Sequence, residues 1–290
     1  LTKASLAARR LYWEAAVNLM LQHPLFGIGF DGFGDWYRRG RTQVAATQSP
    51  GLVSDSAHSV PLDIGSSGGF PLLIVYFGIL ALTIFSIIKV VRLKSRLSTT
   101  FIALAASWFS YQAQSFISIN QIGLAVWGWL LSGALVAYEI SDRSSTLVAK
   151  KNKDLKKQVS EIDDLKGNMS ALVGMVVGAL IAVPPLAADM KWLGALKSQN
   201  LDTIMSALKP SYFNPTDSAR LVAAVTGLQS NNLNKEALEI ARQGVTYNPD
   251  FTDAWKMLYY MSIATEAEKK LAKENLIRLD PLNPTWKELP

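Results

Sequence analysis

The sequence predicts an all-α protein: a polytopic membrane helix bundle, with four spans in this chain, followed by a C-terminal helical-repeat domain. Three observations predict it. Long runs carry no charge. The excess of basic residues falls in short linkers between those runs. An Asn-Pro marker recurs near the C-terminus at a fixed spacing.

Phe70 to Ile88 is 19 residues without a charge. At 1.5 Å per residue it reaches about 28 Å, enough to cross a hydrocarbon core of about 30 Å. Leu97 to Tyr138 is uncharged for 42 residues. That is about two crossings, and the polar patch Ser118-Ile119-Asn120-Gln121 is the expected break. Ser170 to Ala188 supplies a fourth run, with Pro184-Pro185 near its end. The second span is polar in one half. Tyr111, Gln112, Gln114 and Ser115 are expected to face other helices, because amides in hydrocarbon are costly without a partner.

Charge sets the orientation. The net charge is +6, yet residues 1–69 hold six basic and five acidic residues, and residues 189–290 hold twelve of each. The excess lies in Lys89, Arg92, Lys94 and Arg96, and in residues 141–168 with seven basic and five acidic. A nucleic-acid binder concentrates such charge on a folded soluble face. Basic linkers between apolar runs are instead the positive-inside signature. The reading divides the chain into an extracytoplasmic loop (1–69), three transmembrane helices (70–140), a basic cytoplasmic linker (141–169), a fourth transmembrane helix (170–188) and an extracytoplasmic repeat domain (189–290). The chain opens on Leu1, and further spans are expected ahead of it.

Composition narrows the chemistry. Cysteine is absent, which excludes disulfides, thiolate zinc sites and cysteine nucleophiles. His23 and His58 are the two histidines, too few for a histidine-based metal site. In the tail, Asn214-Pro215 recurs as Asn248-Pro249, a period of 34, with Asp280-Pro281 beyond. A helix-turn-helix period of 34 closed by Pro resembles the tetratricopeptide repeat. Such repeats bind partners or position domains.

The loop carries the candidate chemistry. Residues 5–22 read as an amphipathic helix capped by Ser5. Its expected apolar stripe is Leu6, Trp13, Val17, Met20 and Leu21, with Arg10 inside the stripe and Arg9 off it. Gly27 to Gly34 (GIGFDGFG) matches G-x-G-x-x-G, but a helix precedes it where the dinucleotide fingerprint needs a strand. It reads as a tight turn. Arg38, Arg39 and Arg41 form a cluster suited to phosphate, or to a loop facing lipid headgroups. His58, in Asp55-Ser56-Ala57-His58-Ser59, is a candidate base, with Asp55 or Asp63 as a partner. His23, ahead of Pro24, reads as structural.

Three pieces now stand in order: Arg10-Leu11-Tyr12-Trp13, then His23 to Gly29 (HPLFGIG), then Asp55 to Ser59 before a span. Together they resemble the O-antigen ligase-like superfamily of O-antigen ligases, O-antigen polymerases and bacterial O-oligosaccharyltransferases. The resemblance covers roughly residues 5–140. Ser59 and Gly69 fit the family's pattern after its histidine, while Leu72 stands where Gly, Thr or Tyr is typical. The resemblance implies a metal-independent glycosyltransferase or ligase with no cofactor, in the bacterial inner membrane. A glycan on a polyprenyl diphosphate would pass to an acceptor hydroxyl on a glycan, lipid or protein. By position His58 and Arg10 are the implied catalytic pair, as base and diphosphate clamp. Arg38, Arg39, Arg41 and Asp55 are the candidate substrate-binding residues. The rivals are a polysaccharide polymerase and a non-catalytic scaffold recruiting a protein partner through the tail.

Overall fold

The computed structural model describes residues 3–93, 96–148, 155–214 and 218–289. Lys94, Pro215 and the side chains of the expected basic linker at 143–168 lie outside them. The described residues are helical, apart from loops and one isolated bridge between Ser211 and Asn214. The chain divides into two units, Leu1–Asn152 with Pro281–Pro284, and Lys153–Asp280 with Thr285–Pro290.

The first unit holds α1 (Lys3–Gln22), α2 (Phe33–Gly40), α3 (Gln43–Gln48), α4 (Val60–Leu93), α5 (Thr99–Ser115) and α6 (Ile122–Val148). Ser5 lies inside α1 rather than capping it. The expected stripe is corrected in part: Met20 is buried as expected, but Leu6, Val17 and Leu21 are exposed, and the rest of the buried face is Tyr12, Ala15, Ala16 and Leu19. Small alanines win that face because α1 packs against both α2 and α4, and close approach favours them over bulk.

A break at Gly69 divides α4. Gly69 has φ 70 and ψ −170, a region that only glycine adopts freely. A Cβ there would also meet the Pro24 carbonyl oxygen at 2.5 Å. The helix therefore divides just before Phe70, the first residue of the expected span. Three helices are long and apolar enough to cross a membrane: α4, Gly123–Asp142 within α6, and Met169–Ser198 within α7 (Leu155–Ser198). Four were expected. The second, α5, has 17 residues and spans about 26 Å. Its polar residues divide by face: Gln112 and Ser115 are buried, whereas Gln114 is exposed. Gln112 accepts from the Tyr76 hydroxyl at 3.4 Å, and Trp108 Nε1 donates to Ser132 Oγ at 2.7 Å. These contacts hold α5 to α4 and α6. Lys89 on α4 pairs with buried Glu139 on α6 at 3.5 Å.

The second unit continues from α7 through α8 (Leu201–Leu208), α9 (Ser218–Ser230), α10 (Asn234–Tyr247), α11 (Thr252–Tyr260), α12 (Glu266–Leu279) and α13 (Pro284–Glu288). The helix α7 passes through Pro184 and Pro185 instead of ending there. Proline has no N–H, so Pro184 leaves the Leu180 carbonyl without its helical donor. The Tyr212 hydroxyl donates to that carbonyl at 2.9 Å. Helices α9 and α10 pack as a pair, as do α11 and α12. Their core buries Val225, Ile240, Ala241, Trp255, Leu276 and Leu279.

Candidate active site

His58 lies in the segment between α3 and α4, and its backbone is left-handed at φ 54. For a non-glycine residue that conformation costs roughly 1–2 kcal/mol. Local side chains hold it. Ala57 N donates to Asp63 Oδ1 at 2.6 Å, His58 N to Ser56 Oγ at 3.3 Å, and Ser54 Oγ to the Ser56 carbonyl at 2.7 Å. Asp63 N in turn donates to the Ser59 carbonyl at 2.8 Å. The imidazole stacks on Tyr12 of α1, with ring centroids 5.3 Å apart and planes at 22°. Burial lowers the His58 pKa below its ordinary 6.5; Arg9 lowers it further and Asp55 opposes both. The ring is thereby kept neutral, the form a base requires.

Arg9 and Arg10 part company. They stand about 100° apart around α1. Arg9 sits at the edge of the buried face and donates through Nη1 to the Ile117 carbonyl in the α5–α6 connection. Arg10 is on the opposite flank, with its side chain 79% exposed, bonded through Nε to Glu14 at 2.8 Å. Sequence periodicity favoured Arg10; the charge that acts on His58 is that of Arg9.

A cavity of about 360 Å³ adjoins this segment, and Phe30, Asp31, Asp55, Ser56, Asp63 and Asn120 are among its lining residues. No Lys or Arg lines it among the described residues. Asp63 Oδ2 is buried with no hydrogen-bond partner among them. Carboxylates, an amide and a hydroxyl beside a phenyl ring suit a ligand rich in hydroxyls, and they repel a diphosphate. Among the described residues no group of three or more His, Cys, Asp or Glu is placed to hold a metal ion.

The arginine cluster is woven into its own loop. Arg38 and Arg41 are buried. Arg41 Nη1 donates to the Pro50 carbonyl at 3.0 Å, and the Arg39 guanidinium lies 3.9 Å over Trp36. Trp36 also meets the His23 ring edge-on at 4.8 Å. Tyr37 is fully buried, and its pKa is pushed up to about 12, by burial first and then by Tyr12 and Glu14 against Arg41. It stays protonated at neutral pH.

The glycine turn has a structural task. Ile28 N donates to the Ser66 carbonyl at 2.9 Å and Gly29 N to that of Ser67 at 3.0 Å, while Phe70 N turns away to the Pro24 carbonyl at 2.8 Å. In a continuous helix residues 70 and 71 would serve Ser66 and Ser67. The Gly69 break removes the first donor, and Pro71 has none. The turn satisfies both orphaned carbonyls. Gly27, at φ 62, lies so close that a Cβ would sit 2.4 Å from the Ser66 carbonyl oxygen.

A family model described as O-antigen ligase matches residues 1–77. This stretch, just over a quarter of the chain, contains Arg10, Arg38, Arg39, Arg41, Asp55 and His58. No curated protein and no solved structure matches the chain. With the apolar helices, the family match marks a multi-pass membrane protein with a general role in glycan processing, of glycosyltransferase or ligase type.

Proposed function

We propose that the protein transfers a glycan from a polyprenyl diphosphate to an acceptor hydroxyl, as an O-antigen ligase-like enzyme of the bacterial inner membrane. One observation carries the reading. A neutral histidine, fixed in an unusual backbone conformation on a tyrosine face, adjoins a cavity suited to hydroxyls, inside the stretch that matches the family.

The step balances simply. The acceptor oxygen forms a bond to the anomeric carbon as the bond from that carbon to the diphosphate oxygen breaks. The acceptor proton passes to the neutral imidazole of His58. Charge grows on the departing diphosphate, and Arg10 supplies the compensating positive field. Asp55 orients and tunes His58 from the cavity wall. Arg38 and Arg41 stiffen the loop through burial, and Arg39 is the member of that cluster nearest to a substrate role. No step is assigned to a metal or an organic cofactor.

The topology that suits this chemistry places residues 1–69 and 189–290 outside the cytoplasm, with α5 as a short second crossing among four. The paired helices of the tail serve as a tetratricopeptide-like module that binds a protein partner or positions the enzyme.

The test uses the full protein in membranes supplied with lipid-linked glycan. His58→Ala is expected to lower transfer about 100- to 10,000-fold while insertion is unchanged. Arg10→Ala is expected to lower transfer without loss of protein. Normal transfer by both variants would overturn the assignment. Loss of function on removing residues 189–290, with His58→Ala active, would favour the scaffold.

A further inference from the structure

Between Glu14 and Asp31 the chain carries no charged residue. This stretch ends in a loop whose apolar side chains point away from the protein: Leu25 is 65% exposed, Phe26 86% and Phe30 83%. Water-facing loops seldom present two phenylalanines in this way. The loop is not free to swing. Its backbone is bonded to Ser66, Ser67 and Phe70 of α4, and Gly27 and Gly69 are the two points of closest approach. The loop is therefore fixed beside the Gly69 break, where the expected span of α4 begins.

We propose that Leu25, Phe26 and Phe30 form a membrane-inserting tip, seated among the acyl chains of the leaflet that α4 enters at Phe70. Exposed Leu21 extends the same apolar surface along α1. Lipid is the occupant that fits, because the loop is bonded to α4 at Phe70, about one helical turn before exposed Ile74 and Val75, and because burying this much apolar surface in acyl chains is favourable at about 25 cal/mol per Å². Phe30 also lines the cavity beside His58. The tip thus holds the cavity mouth at headgroup depth, where a lipid-borne substrate arrives by lateral diffusion. The insertion itself does not depend on the catalytic reading.

The test reads depth rather than activity. This chain has no cysteine, so Phe26→Cys gives it a single site for a nitroxide label. The full protein is reconstituted in vesicles of phosphatidylethanolamine and phosphatidylglycerol. Label accessibility to dissolved oxygen, which concentrates in acyl chains, is compared with accessibility to a water-soluble nickel chelate. Ile74→Cys is the lipid reference and exposed Thr47→Cys the water reference. The oxygen-to-nickel ratio at Phe26 is expected to approach that at Ile74 and to exceed that at Thr47 several-fold. A ratio like that at Thr47 would overturn the proposal. So would low accessibility to both reagents, which would mean that protein covers the tip.

Discussion

The segment ahead of α4 and the C-terminal helix pairs solve the same packing problem by different means. The helix pairs use ordinary backbone: their one left-handed residue, Asn232, sits in a turn. Their ends are closed by local side chains, as in the capping box between Thr265 and Glu268 on α12. The pre-span segment holds five residues at positive φ: Gly27, Gly29, Asp31, His58 and Gly69. Two of them have a Cβ to accommodate. Left-handed residues of this kind persist only where neighbours over-determine them, and they gather at functional sites. The contrast separates a region held in left-handed backbone by its neighbours from one built of ordinary stacked helices.

The largest expected effect comes from one substitution made in both regions. Gly69→Ala places a Cβ 2.5 Å from the Pro24 carbonyl oxygen at a backbone angle closed to alanine. It should cost more than about 3 kcal/mol, detach the glycine turn and abolish transfer. Gly227→Ala on α9 meets nothing within 4 Å and should stabilise the tail by about 0.5–1 kcal/mol. Thermal unfolding in detergent and a transfer assay check the pair. Equal effects would erase the comparison.

Next is the tail core. Leu276 is fully buried in α12, and Leu276→Ala should cost about 2–5 kcal/mol. Hydrogen exchange should show the loss confined to α9–α12, with transfer by the pre-span segment retained. Loss of transfer would make the tail part of the reaction.

A smaller effect tests the electrostatics around His58. A base works as the neutral imidazole, so the acid limb of the rate profile follows its pKa, which lies below 6.5. Arg9→Gln removes a positive charge that lowers this pKa, so the limb should move to higher pH. Asp55→Asn removes a negative charge that raises it, so the limb should move lower. A limb that ignores both substitutions would mean that His58 is not the titrating base.

Several features were legible in the sequence because they rest on rules of length and polarity. The first expected span opened at Phe70, and the helix breaks one residue earlier at Gly69. The patch Ser118 to Gln121 marked the turn between α5 and α6. The tail was expected to be helical, and α9 to α12 are helices. Other features were hidden because they depend on which face meets a neighbour. A stripe of large apolar residues took in exposed Leu6, Val17 and Leu21 along with buried Met20 and favoured Arg10, because it passed over the small alanines that form much of the contact face. The stacking of His58 on Tyr12 joins residues 46 apart in sequence. The burial of Arg38 and Arg41 depends on a loop fold that no short motif signals.

The smallest expected effect lies where the second unit touches its own apolar helix. Tyr212 Oη donates to the carbonyl that Pro184 leaves unserved on α7. Tyr212→Phe removes the donor and keeps the ring, so any loss belongs to the hydrogen bond, on the order of 0.5–1.5 kcal/mol. Restoring a helical donor with Pro184→Ala should make the hydroxyl dispensable, so that Tyr212→Phe costs less in that background. A double-mutant cycle on thermal unfolding measures the coupling. If the two substitutions add independently, the hydroxyl is not standing in for the missing helical donor. If they couple, the tail is tied to α7 by a bond that exists because of a proline, and the regular region carries one dependent contact of the kind that fills the pre-span segment.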